Sequence, residues 1–148
     1  MKMYKYLSQS VIVKTVHLWL PVLLWALFIF SFSSVTTPRI SETHWQDFII
    51  KKLAHVVEYG MFALLLFRAF KGSGVVSKKA LVYAFFTCVF YGITDEFHQS
   101  FTPGREPTVR DALVDSAGSL IALLTVRDIM PKTHRNIRHI MVKLGIAY

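Results

Sequence analysis

The sequence predicts an all-α integral membrane protein. Four transmembrane helices form a bundle, both termini are cytoplasmic, and a basic amphipathic helix closes the C-terminus. Three observations carry that expectation. Of 148 residues 53% are hydrophobic and only 18% charged, with a mean hydropathy of +0.44, which argues against a disordered chain and a soluble monomer. Four apolar runs are separated by polar stretches. The basic residues also collect at alternate ends of those runs. The formal charge of +8 would suggest nucleic acid in a soluble protein, but its basic residues lie between apolar runs rather than along one stripe. A membrane-surface role is therefore expected, with no nucleic-acid partner. Cys88 stands alone inside an apolar run, so neither a disulfide framework nor a thiolate metal site can be built.

The first run, residues 15–38, contains no Asp, Glu, Lys or Arg, and is long enough to cross a hydrocarbon core of about 30 Å. A signal peptide is the competing reading, because Lys14 precedes the run and Ser31-Phe32-Ser33 resembles a small-residue cleavage site. The stretch is long for such a peptide, and everything downstream is membrane-like too. Pro21 is expected early enough in this helix to be tolerated. Trp19, Trp25 and Trp45 are expected in packing or in the membrane belt, and His17 at the interface.

Runs 53–67, 80–94 and 112–126 are each roughly 22 Å as helices, too short to span unless they extend into polar flanks. The flanks favour extension. Thr43-His44-Trp45-Gln46 reads as a capping box that starts the second helix far upstream, and Thr108-Val109-Arg110-Asp111 resembles the same device before the fourth. Gly72-Ser73-Gly74 is the turn between the second and third helices.

Orientation follows from the bases. Lys2, Lys5, Lys14, Arg68, Lys71, Lys78, Lys79, Arg127, Lys132, Arg135, Arg138 and Lys143 are 12 of the 17, and all lie on one side of a four-span arrangement. The positive-inside rule makes that side cytoplasmic and turns the stretches 36–52 and 95–111 outward. The organisation is then a cytoplasmic segment 1–14, a membrane domain 15–130 and a basic tail 131–148. In the tail Ile137, Ile140, Met141 and Leu144 follow an amphipathic spacing suited to an anionic leaflet.

Ionisable residues fall where they cost most. Glu58 precedes Arg68 by about 15 Å of helix, near the bilayer midplane, and His55 lies about 20 Å up. Asp115 is about 18 Å from Arg127, and Asp111 about 24 Å. Asp95 and Glu96 are expected to end the third helix about 24 Å above Lys79. A group at such depth costs a few kcal/mol and is rarely left facing lipid. Lys51, His55 and Glu58 share a helix face, with Lys52 and Tyr59 roughly a quarter-turn round. Asp111, Asp115, Gly118 and Ala122 form a stripe whose small residues admit a neighbouring helix beneath the acids. An outward-opening polar pocket lined by three helices is the expectation. Lys52–Glu58 and His55–Asp115 pairs that only lock packing are the plainer alternative.

These residues resemble the VanZ family of bacterial membrane proteins, named for an accessory protein of teicoplanin resistance. The matching blocks are Lys52-x-x-His55-x-x-Glu58-Tyr59 and Asp95-Glu96-x-x-Gln99-x-Phe101-x-Pro103-Gly104-Arg105, followed by Arg110-Asp111 and Gly118. Asp115 stands where the family usually has Asn, and Ala122 where Gly is frequent. The resemblance implies a small inner-membrane protein acting at the extracytoplasmic face, in envelope biology and antibiotic tolerance. It supplies no reaction and no catalytic residues.

Thr102-Pro103-Gly104-Arg105 has the residues of a type II turn, which returns Arg105 towards the acids, where it can clamp a phosphate or carboxylate. An Arg105–Asp95 or Arg105–Glu96 bridge is the plainer reading. In the favoured reading Lys52, His55 and Arg105 receive a membrane lipid, a lipid-linked cell-wall precursor or a lipophilic glycopeptide. Glu58, Asp95, Asp111 and Asp115 hold these bases in place, with Tyr59, Glu96, His98 and Gln99 completing the site. A second reading is an enzyme using His55 with Glu58, or His98 with Glu96, as base and orienting acid. A third is an interaction subunit. No cofactor or metal is expected, because the spacing of His and acids matches no defined metal site.

Overall fold

The computed structural model describes residues 2–34, 44–102 and 108–129. They form four α-helices, α1 (Lys2–Ser33), α2 (His44–Gly72), α3 (Ser77–Gln99) and α4 (Val109–Leu124), the last continued by a π-helical turn over Thr125–Ile129. No strand occurs among the described residues. Three helices are long and apolar enough to cross a membrane: Val11–Ser33, Phe48–Gly72 and Ser77–Gln99. Thr43, the 131–148 tail and the Pro103-Gly104-Arg105 turn lie outside the described residues.

Several bounds differ from those read off the sequence. Helix α1 starts at Lys2, so Pro21 is well inside it rather than near its start. A proline there removes one intrahelical bond, which membrane helices accommodate through neighbouring groups. Helix α3 runs one turn past Asp95 and Glu96 to Gln99, because both acids find partners on other elements instead of capping their own helix. At the opposite end the turn is as the glycines indicate. Gly74 has φ 95° and donates to Lys71 O at 3.0 Å, a conformation that a side chain would strain.

Helix α2 packs against all three others. Its buried Tyr59, Phe62, Ala63, Leu66, Phe67 and Ala69 form the centre of the core. Helix α3 meets it through a ridge of small residues, Ala80, Ala84, Cys88 and Gly92, spaced four apart and continuing into the buried polar Asp95, Glu96 and Gln99. The opposite face of α3 carries exposed Val82, Phe86, Phe90, Ile93 and Phe97. Large apolar groups outside and small or polar groups inside is the pattern of a helix solvated by lipid.

The closest approach is between α2 and α4. A Cβ placed on Gly118 would lie 2.6 Å from the Val56 carbonyl oxygen and 2.7 Å from its Cα. The stripe of small residues on α4 therefore does admit a neighbouring helix beneath the acids.

Helix α1 is the most exposed, with Leu18, Val22, Ile29 and Ser33 as its buried edge. Polar contacts hold it from His17 onward. Arg68 meets the His17 ring nitrogen at 2.8 Å, and Trp19 Nε1 donates to Ser73 Oγ at 3.1 Å. Trp25 Nε1 donates to Glu58 O at 2.9 Å, and Tyr91 Oη to Ala26 O at 2.6 Å. Trp19 and Trp25 thus serve packing, while Trp45 is exposed.

Candidate functional site

At the end of the bundle remote from the Gly72–Gly74 turn, α1, α2 and α3 enclose a partly open cavity of about 210 Å³. Its floor comes from the face of α2 on which residues recur at intervals of three and four. Lys51, Ala54, His55 and Glu58 stack there, with Ile50 beside them. Helix α1 contributes Ile29, Phe32 and Ser33; α3 contributes Asp95 and Gln99. The lining is mixed: Ile29, Phe32, Ile50 and Ala54 are apolar, whereas Lys51, His55, Glu58 and Asp95 are ionisable.

The α3 side is organised around Asp95, which is 4% exposed. It accepts from Ser33 Oγ at 2.6 Å and from Gln99 Nε2 at 2.9 Å. The first bond joins α1 to α3, and the second is an i, i+4 contact along α3. Ser33→Ala leaves one oxygen of a buried carboxylate without its donor. We expect a loss of about 1.5–3 kcal/mol, read as a lower midpoint of thermal unfolding in detergent.

The far side of α2 faces α4. Lys52 forms an ion pair with Asp111, and His55 Nδ1 lies 3.0 Å from Asp115 Oδ1. Thr108 caps α4 through a bond from Asp111 N to its Oγ1 at 3.2 Å. The reciprocal half of that cap is not supplied by the Asp111 carboxylate, which is taken by Lys52. It comes from Glu96 of α3, whose Oε2 accepts from Thr108 N at 3.0 Å. Glu96 thereby ties the start of α4 to the end of α3.

Behind the cavity Tyr59 is fully buried beside Gly92, Tyr91 and Asp115. Tyr59 Oη, Glu96 Oε1 and Asp115 Oδ2 have no hydrogen-bond partner among the described residues. Each is a buried polar atom whose desolvation costs about 1–3 kcal/mol when left unpaired, a cost that a bundle held only by packing would not carry.

Of the residues expected in the pocket, His55, Glu58, Asp95 and Gln99 line this cavity. Tyr59, Glu96 and Asp115 lie buried outside its lining, and Lys52 and Asp111 pair on the α4 side. Of the two pairs that the plainer packing reading offers, Lys52–Glu58 is replaced by Lys52–Asp111, because Lys52 is rotated away from the Glu58 face of α2 towards α4. The other, His55–Asp115, is present. His98 stacks on Phe30 at 4.2 Å between ring centroids and meets Ser34 Oγ at 3.0 Å, so it braces α1 instead of facing the cavity. Arg105 lies outside the described residues.

Besides the apolar residues, two polar lining residues are not among those expected. Lys51 shares its face with His55 and Glu58, a placement the helical angles already indicate, but the Lys52-x-x-His55 spacing draws the choice to its neighbour. Ser33 carries only the signal of a small residue at the end of an apolar run, which equally resembles a cleavage site.

No curated protein and no solved structure matches the chain. The VanZ/LLP1 family model matches residues 14–130, most of its length and every element that builds the cavity, so the chain belongs to the VanZ/LLP1 family.

Proposed function

We propose that the cavity receives the polar head of an envelope amphiphile, an anionic lipid or lipid-linked cell-wall precursor, or the lipid-bearing part of a glycopeptide such as teicoplanin. One observation carries this reading: apolar Ile29, Phe32, Ile50 and Ala54 line a single cavity together with Lys51, His55, Glu58, Asp95 and Gln99. A small-molecule site is typically mostly apolar with a few polar groups that fix orientation. Lys51 and His55 suit an anionic group, and Glu58, Asp95 and Gln99 suit hydroxyls or amides.

In this reading α4 and its π-helical extension form a fourth span, residues 15–130 are the membrane domain, and both termini lie in the cytoplasm of a bacterial inner membrane. The basic residues at the turn end support that orientation, and the cavity then opens outward. The interaction-subunit alternative needs small residues facing lipid, whereas Gly118, Ala80, Ala84 and Cys88 are buried inside the bundle.

The test is teicoplanin susceptibility in a sensitive bacterium expressing wild type, Lys51→Met or Glu58→Gln at matched membrane abundance, beside a less lipophilic glycopeptide. Wild type should protect and both variants should fail to. Protection that survives both substitutions contradicts the reading. In vitro, Lys51→Met should weaken binding of phosphatidylglycerol about tenfold, the equivalent of one charge-assisted contact.

A further inference from the structure

We infer that the cavity is hydrolytic: His55, oriented by Asp115, is a general base that delivers water to the ester linkage of a bound amphiphile. The inference rests on the amphiphile-binding reading above. It starts from the position of the imidazole between two environments. His55 Nδ1 is 3.0 Å from Asp115 Oδ1 on α4, while the same side chain lines the cavity between α1, α2 and α3. An ionised carboxylate only accepts, so Nδ1 carries the ring hydrogen and Nε2 keeps its lone pair. With the Nδ1 edge turned to α4, the Nε2 edge is left for the cavity. Asp115 is 1% exposed and its Oδ2 has no partner among the described residues. A carboxylate kept this dry, with one oxygen committed to a histidine, is the orienting member of an acid–base pair.

The cavity's mixed lining indicates the bond attacked. An amphiphile that rests its chain on Ile29, Phe32 and Ile50, with its head among the ionisable groups, places the junction between chain and head beside His55. In an acylated amphiphile that junction is a carboxylic ester. Lys51 lies one turn from His55 on the same face of α2, where an ammonium can stabilise an oxyanion.

The step balances without a further reactant. Water oxygen bonds to the ester carbonyl carbon as its proton passes to His55 Nε2, and the carbonyl electrons move to the oxygen beside Lys51. The tetrahedral intermediate collapses, the bond from carbon to the alcohol oxygen breaks, and that oxygen takes the proton from Nε2. One ester and one water give one carboxylic acid and one alcohol, and the imidazole is restored. Asp115 acts through His55 and is a positioning residue.

The experiment uses the full chain in dodecyl maltoside micelles, with 4-nitrophenyl octanoate as ester probe and octyl 4-nitrophenyl ether as its non-hydrolysable counterpart. His55→Gln keeps an N–H for Asp115, so its thermal unfolding should stay close to that of wild type. Its turnover should fall about 10²-fold or more. Asp115→Asn should lower kcat about 100-fold with KM unchanged, because an amide can donate to Nδ1 and reverse the tautomer; a merely structural Asp115 would not split the two constants. Wild-type hydrolysis equal to that of folded His55→Gln overturns the inference. If the ether binds wild type while the ester is not cleaved, catalysis falls and the binding reading stands. If neither ether nor ester engages the protein, both fall.

Discussion

Gly118→Ala should give a protein that fails to accumulate in membranes or unfolds far below wild type, with a loss of about 3 kcal/mol. The added methyl would sit 2.6 Å from the Val56 carbonyl oxygen and 2.7 Å from its Cα. Both are backbone atoms, so no rotamer change relieves the overlap, and α2 and α4 must move apart. That separation would act one turn above, where Lys52–Asp111 and His55–Asp115 bridge the same two helices. Gly60→Ala is the internal control. Its Cβ would meet Ala122 Cβ and Gly118 O at 3.5 Å, ordinary contact distances, so its unfolding midpoint should stay near that of wild type. Equal stability of the two variants in detergent would contradict the close crossing.

The second large effect comes from breaking the His55–Asp115 pair on one side only. His55→Ala removes the donor to a carboxylate that is 1% exposed and whose other oxygen is already unpartnered among the described residues. A buried charge stripped of its partner costs about 3–5 kcal/mol, whereas removing both partners costs much less. The double variant His55→Ala, Asp115→Ala should therefore recover most of the stability lost by His55→Ala alone. A double-mutant cycle on thermal unfolding measures that coupling. Additive losses would mean that the two side chains do not interact across α2 and α4.

Much of this arrangement is legible in the sequence because it rests on periodicity within one helix. The gathering of Lys51, His55 and Glu58, and the stripe from Asp111 through Gly118, follow from 100° per residue alone. The Thr108 cap follows from its residue type and position. Contacts between helices are harder to read. Glu96 completes that cap from another helix, where Asp111 in the same segment was the local choice. Ser33 reaches Asp95 across 62 residues of chain, and no local pattern marks it as anything but a small residue after an apolar run. The ridge Ala80, Ala84, Cys88 and Gly92 is legible only once α3 is allowed to be solvated by lipid, because its large side chains then point outward.

In the proposed reading the cavity, at the end of the bundle opposite the Gly72–Gly74 turn, is reached from outside the cell. Cysteine labelling measures this most directly, in a Cys88→Ala background since the native thiol is buried. Lys51→Cys lies in the cavity lining, and Ser73→Cys at the exposed turn. A membrane-impermeant maleimide added to intact cells should modify Lys51→Cys, with protection by added phosphatidylglycerol or teicoplanin. Ser73→Cys should react only after the membrane is opened. Labelling of Ser73→Cys in intact cells, with Lys51→Cys silent until lysis, would invert the topology and remove the cavity from the face on which an envelope amphiphile is met.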